Sequence, residues 1–74
     1  MKEALMEIAK EFYAAKQKHP EFAKTVAEGL NLITEEYLEL TRAYNDKESP
    51  ERIKEEAAHV GVCVLRFLEM MNEQ

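Results

Sequence analysis

Five side chains able to bind a cation fall into two clusters, one near the middle of the chain and one sixteen residues later. The first cluster is Glu35, Glu36 and Glu39, and the second contains Glu56 and His59. At about 100° per residue, the first three carboxylates share one flank of a helix, beside its apolar stripe. Carboxylates crowded this closely either collect a cation or repel one another.

The order of these residues is similar to a known family signature. The clusters read EExxE and then, after the spacer, Glu56-x-x-His59. This resembles the EExxE…ExxD pattern of the MazG-type all-α nucleoside triphosphate pyrophosphohydrolases, over roughly residues 30–71. His59 stands where that family has an aspartate. The related phosphoribosyl-ATP pyrophosphohydrolases share the layout, so the substrate need not be a free nucleotide.

The resemblance implies metal-dependent cleavage of a nucleoside triphosphate, or a related nucleotide, to a monophosphate and pyrophosphate. Glu36, Glu39 and Glu56 would then bind Mg²⁺, with Glu35 as a further ligand or the general base and His59 in a ligand position. Imidazole suits Mn²⁺ or another transition metal better than Mg²⁺. His59 therefore predicts either a changed metal or a degenerate, inactive site. Cations for the phosphates would come from a partner subunit or from Arg42, Lys47, Arg52, Lys54 or Arg66.

The helical spacing of apolar residues predicts the elements that position these clusters. We expect helices from Lys2 to Lys18, from Pro20 or Glu21 to about Tyr44, and from Pro50 to about Met71. The expected core stripe of the second helix is Phe22, Val26, Leu30, Ile33, Tyr37, Leu40 and Tyr44. That of the third is Ile53, Ala57, Val60, Val64, Phe67 and Met71. Antiparallel packing of these two helices would bring both clusters to similar heights.

Composition limits the class of protein. With 74 residues, two glycines and two prolines, the chain predicts one all-α domain, a MazG-like array of about three helices over residues 1–74. A net charge of −5 argues against nucleic acid as the main ligand. The lone Cys63 excludes an internal disulfide, which fits a reducing cytoplasm, and we expect it to be a small buried residue. The sequence has neither a long apolar run nor a charged-then-apolar leader, so we expect neither a membrane span nor secretion.

Apolar residues on more than one side of the second helix predict self-association. Leu32 and Leu38 lie outside its stripe, so we expect a homodimer or higher homo-oligomer that completes a helical bundle. The alternative to an enzyme is a non-catalytic helical module for oligomerisation or protein interaction. A third hypothesis is a di-iron site, because Glu-x-x-His is half of the di-iron bundle pattern and a dimer would supply the other half.

Overall fold

A computed structural model describes residues 1–73, and every regular element in that range is an α-helix. Helix α1 spans Lys2–Lys18, α2 spans Val26–Asn45 and α3 spans Pro50–Asn72. The all-α, three-helix prediction is therefore confirmed for this range, and no strand occurs in it. None of these helices combines the length and apolar character needed to cross a bilayer.

The central element is α3, onto which both other helices pack, whereas the backbones of α1 and α2 do not meet in residues 1–73. Ion pairs join Glu7 to Lys54 at 2.8 Å and Lys16 to Glu69 at 3.4 Å, so α1 runs parallel to α3. A four-residue connection, 46–49, joins α2 to α3. The two helices pack against each other and are antiparallel, as predicted.

Local capping explains where α2 and α3 begin. Ser49 Oγ accepts a hydrogen bond from the Arg52 amide at 3.2 Å, with proline next, as the Ser-Pro signal predicts. The start predicted for the second helix, Pro20 or Glu21, is wrong. Thr25 is the N-cap instead: its Oγ1 accepts from the Glu28 amide at 3.1 Å. Glu28 then reaches back to accept from the Lys24 amide, in the manner of a capping box.

The faces that pack together match the apolar stripes expected from the sequence only in part: Phe67 of the expected α3 stripe lies against α2 at Gly29. Gly29 and Ala43 are the buried residues of α2, while Glu56, Val62, Cys63 and Arg66 are those of α3. The absence of a side chain at Gly29 lets the Phe67 ring of α3 lie against the α2 backbone. Much of each expected stripe is exposed instead: Val26, Leu30, Tyr37 and Tyr44 on α2, and Ala57, Val64 and Met71 on α3.

Candidate metal centre

The best-buried acid of the chain is Glu56, which is only 3% exposed. Its Oε1 lies 3.0 Å from Nδ1 of His59, one turn later on α3, and 3.3 Å from the Arg52 guanidinium. Because a carboxylate only accepts hydrogen bonds, His59 donates from Nδ1. That bond orients the ring and leaves Nε2 of a neutral imidazole available to a metal.

The first cluster meets this pair through Glu36, which projects from α2 toward α3. Its Oε2 is buried and has no hydrogen-bond partner among the described residues. Burial raises the pKa of the Glu36 carboxyl above its usual value, and the neighbouring charge of Glu39 raises it further. His59 lowers the same pKa and Glu56 raises it, so both residues of the second cluster lie within electrostatic reach.

The other predicted site residues are less enclosed. Glu35 and Glu39 are both exposed on α2, at the border of the buried carboxylate of Glu36. Glu39 acts on the Glu36 charge more strongly than Glu35 does. The structure thus places Glu56 and His59 in direct contact, with Glu36 within electrostatic reach of both but outside the group of ligand atoms that lie within 4.8 Å of one another. Glu35 and Glu39 lie on the solvent side.

Sequence reasoning did not select two further residues at this place. Ligand atoms of Glu55, Glu56 and His59 lie within 4.8 Å of one another, but Glu55 is exposed and bound to Arg52 at 2.6 Å. Helical spacing could have revealed Glu55. Glu11 of α1 places Oε2 3.9 Å from Nε2 of His59. Nothing in the sequence indicated Glu11, because its position depends on how α1 docks.

A cleft of about 630 Å³ lies over this cluster, between α1 and α2 with α3 as its floor. Glu11, Glu36 and His59 line it, and so do Lys18 and Arg66. Since α1 is parallel to α3, Glu11, Glu36 and His59 fall toward one end and Lys18 and Arg66 toward the other. Glu21 also lines the cleft, whereas Glu35, Glu39 and Glu56 do not. Along α3, Arg66 lies seven residues beyond His59, about 10 Å at 1.5 Å per residue.

Arg66 joins α3 to the connection between α1 and α2 at the cationic end of the cleft. It is buried, and its guanidinium donates to the carbonyl oxygens of His19 at 2.6 Å and Pro20 at 3.3 Å. The ring of Phe22 lies beneath it, 5.5 Å from the guanidinium carbon to the ring centroid. None of these hydrogen-bond partners is an acid.

Cys63 lines the same cleft as a neutral thiol. Burial raises its pKa to about 11, with the charge of Glu36 adding to the effect. At neutral pH the thiolate is scarce, so this side chain is a poor nucleophile or metal ligand. The expectation of a small buried residue at Cys63 is confirmed.

Comparisons with known proteins add no relative: no protein-family model, curated protein or solved structure matches this chain. Function must therefore be inferred from the cleft and from the motif that its residues form.

Proposed function

We propose that this chain is a metal-dependent nucleotide pyrophosphohydrolase whose site is the cleft between the three helices. The observation that carries the proposal is the buried, unpartnered oxygen of Glu36 within electrostatic reach of Glu56 and His59. A divalent cation would give that oxygen a partner and offset the repulsion among the carboxylates. The resemblance of the same residues to the MazG signature supports a phosphoanhydride as substrate.

The donor set supplies the ligand types that a divalent metal ion takes, and Glu55, Glu56 and His59 hold ligand atoms within 4.8 Å of one another. Glu36, Glu39 and Glu56 offer the oxygen atoms that Mg²⁺ prefers, and Nε2 of His59 adds a nitrogen that favours Mn²⁺ or another transition metal. When bound, the metal would supply Lewis acidity, offsetting phosphate charge and lowering the pKa of a water. Glu56 meanwhile keeps the His59 ring oriented through the bond at Nδ1.

The remaining steps belong to side chains of the chain itself. Glu35, exposed on α2 next to Glu36, would accept the proton of the attacking water, which adds to phosphorus as the bond to the pyrophosphate oxygen breaks. Lys18 and Arg66 line the cleft and bind phosphate oxygens. The separation of Arg66 from His59 lets a polyphosphate extend from metal to guanidinium. The products are a nucleoside monophosphate and pyrophosphate, in a cytoplasm that supplies nucleotides and keeps Cys63 reduced.

Calorimetric titration with Mn²⁺ and Mg²⁺, followed by a nucleotide panel assayed for pyrophosphate release, tests this function. Replacing Glu36, Glu39 or Glu56 by Gln should abolish metal-dependent hydrolysis without loss of the helical fold. Glu51→Gln is the matched control, because it makes the same change at an exposed acid of α3 that is not one of the proposed ligands. Equal turnover by the triple Gln variant would rule out the enzyme.

A non-catalytic helical oligomerisation module is the second candidate, and a specific observation favours it. Large apolar side chains are exposed along α2 and α3 in the single chain. A protein of this kind would give no heat with either metal and release no pyrophosphate, yet it would still associate. The metal titration therefore separates the two candidates.

A further inference from the structure

The single chain exposes more surface than is expected of a monomer of its mass. An 8.6 kDa monomer is expected to expose about 4,700 Å², whereas this chain exposes 5803 Å², about 1,100 Å² more. No large side chain in the described range is fully buried. The excess exceeds the roughly 800 Å² that each partner contributes to a standard stable interface.

Four of the exposed large apolar side chains lie in one sector of α2. Val26, Leu30, Tyr37 and Tyr44 recur at steps of four, seven and seven residues, so they form one stripe along the helix. Tyr37 lies eight residues after the buried Gly29, which is about 80° around the helix from the contact with α3. The stripe contains no charged residue, although 34% of the chain is charged.

Helix α3 has an equivalent sector. Ala57, Val64, Leu68 and Met71 are exposed there, again with no charged residue in the stripe. Val64 is one residue, or about 100°, beyond Cys63, which is on the buried side. Each stripe is reached from the contact between α2 and α3 by a rotation about its own helix axis in the direction of increasing residue number. Because the two helices are antiparallel, these rotations place both stripes on the same side of the helix pair. Together the eight residues of these two stripes form one apolar face.

We propose that this apolar face binds the same face of a second copy of the chain, so that α2 and α3 of both copies form a four-helix bundle. A face that binds itself needs no complementary charge, and this one has none. The area excess matches one such interface per chain. This inference does not depend on the proposed catalytic function.

Dimerisation through this face leaves the cleft open. Leu68 is nine residues after His59, half a turn around α3 from it. Each copy would therefore carry its own cleft on the outside of the bundle, with α1 beside it.

Two leucines of α2 provide a matched test. Leu30 and Leu38 are each 51% exposed, but Leu30 lies in the apolar face and Leu38 lies about 80° away from it. Light scattering should give wild type and Leu38→Glu a mass of twice 8.6 kDa, and Leu30→Glu should lose at least half of its dimer. A wild-type monomer, equal dissociation of both variants, or an assembly unaffected by Leu30→Glu would overturn the proposal.

Unfolding of the wild-type chain decides the case if Leu30→Glu does not fold. The Tm of a dimer that unfolds to separate chains rises with protein concentration. We expect a rise of several degrees between about 5 and 500 µM. A Tm that stays constant over this range would overturn the proposed interface.

Discussion

Glu36→Gln should make the metal-free protein more stable, which is an unusual result for a partly buried residue at a helix contact. The substitution removes a charge that burial and the charges of Glu39, Glu56 and Glu35 all disfavour, while only His59 favours it. Like-charge neighbours on a helix cost roughly 0.2–0.5 kcal/mol each. Two or three such pairs, less the lost attraction to His59, give a gain of about 0.5–1 kcal/mol. In a chain of this size that corresponds to about 2–8 °C in Tm.

The pH dependence tests the cause of this gain. The pKa of Glu36 is raised in the folded chain above its ordinary value of 4.5, so the folded state binds more protons than the unfolded state just above pH 4.5. Stability therefore falls as pH rises from 4.5 through the raised pKa. Below pH 4.5 the carboxyl is protonated in both states. The advantage of Glu36→Gln should be full at neutral pH and vanish below 4.5.

Thermal melts in metal-free buffer from pH 4 to pH 8 measure this difference. The control is Glu35→Gln, which makes the same change one residue away on an exposed side chain and should stay within about 0.5 kcal/mol of wild type. Added Mn²⁺ should then raise the Tm of wild type and not that of Glu36→Gln. A Gln variant less stable than wild type at pH 7 would refute the electrostatic reasoning.

Three further substitutions test other contacts. In Gly29→Ala the new Cβ would lie 2.7 Å from a Phe67 ring carbon, costing about 1–3 kcal/mol against a gain of roughly 1 kcal/mol in helix propensity. In Gly61→Ala the nearest atom is the terminal methyl of Ile8 at 2.9 Å, which can move by a rotation of the side chain, so this variant should be neutral or stabilising in urea melts. Arg66→Met removes hydrogen bonds to two backbone carbonyls and should cost about 1.5–3 kcal/mol by the same assay; an unchanged midpoint would contradict this. His59→Asp puts a second carboxylate beside a buried one, so the metal-free Tm should fall and Mg²⁺ should restore it. A Tm indifferent to Mg²⁺ would count against a ligand position.

Element boundaries were predictable where the signal is local. The extents of α1 and α3 follow from residues adjacent in sequence, such as Ser49 and Pro50 at the start of α3. The start of α2 was equally local, but the proline at position 20 suggested an earlier first turn. Thr25-x-x-Glu28 is the capping signal that the chain uses.

The packed face of α2 was not predictable from apolar spacing. Hydrophobic periodicity identifies a stripe that must leave water, but it does not say whether the same chain or another covers that stripe. Here Gly29 lets the Phe67 ring approach the α2 backbone, which turns Glu36 toward α3. Glu11 is harder still, since its place beside His59 depends on the docking of a separate helix.

The carboxylates between α2 and α3 and the apolar face of the same helix pair are connected through the stability of the fold. A helix pair that turns Glu36, Glu56 and His59 toward its interior gives up apolar burial there and accepts repulsion between carboxylates. Such a pair needs compensating burial elsewhere, and the apolar face on the opposite side of α3 is the surface able to supply it. The proposed dimer would then stabilise the fold through one side of the helix pair while the other side keeps its charges available to a cation. Substitutions that disrupt the apolar face should lower the stability of the metal-free chain, and bound Mn²⁺ should recover part of that loss.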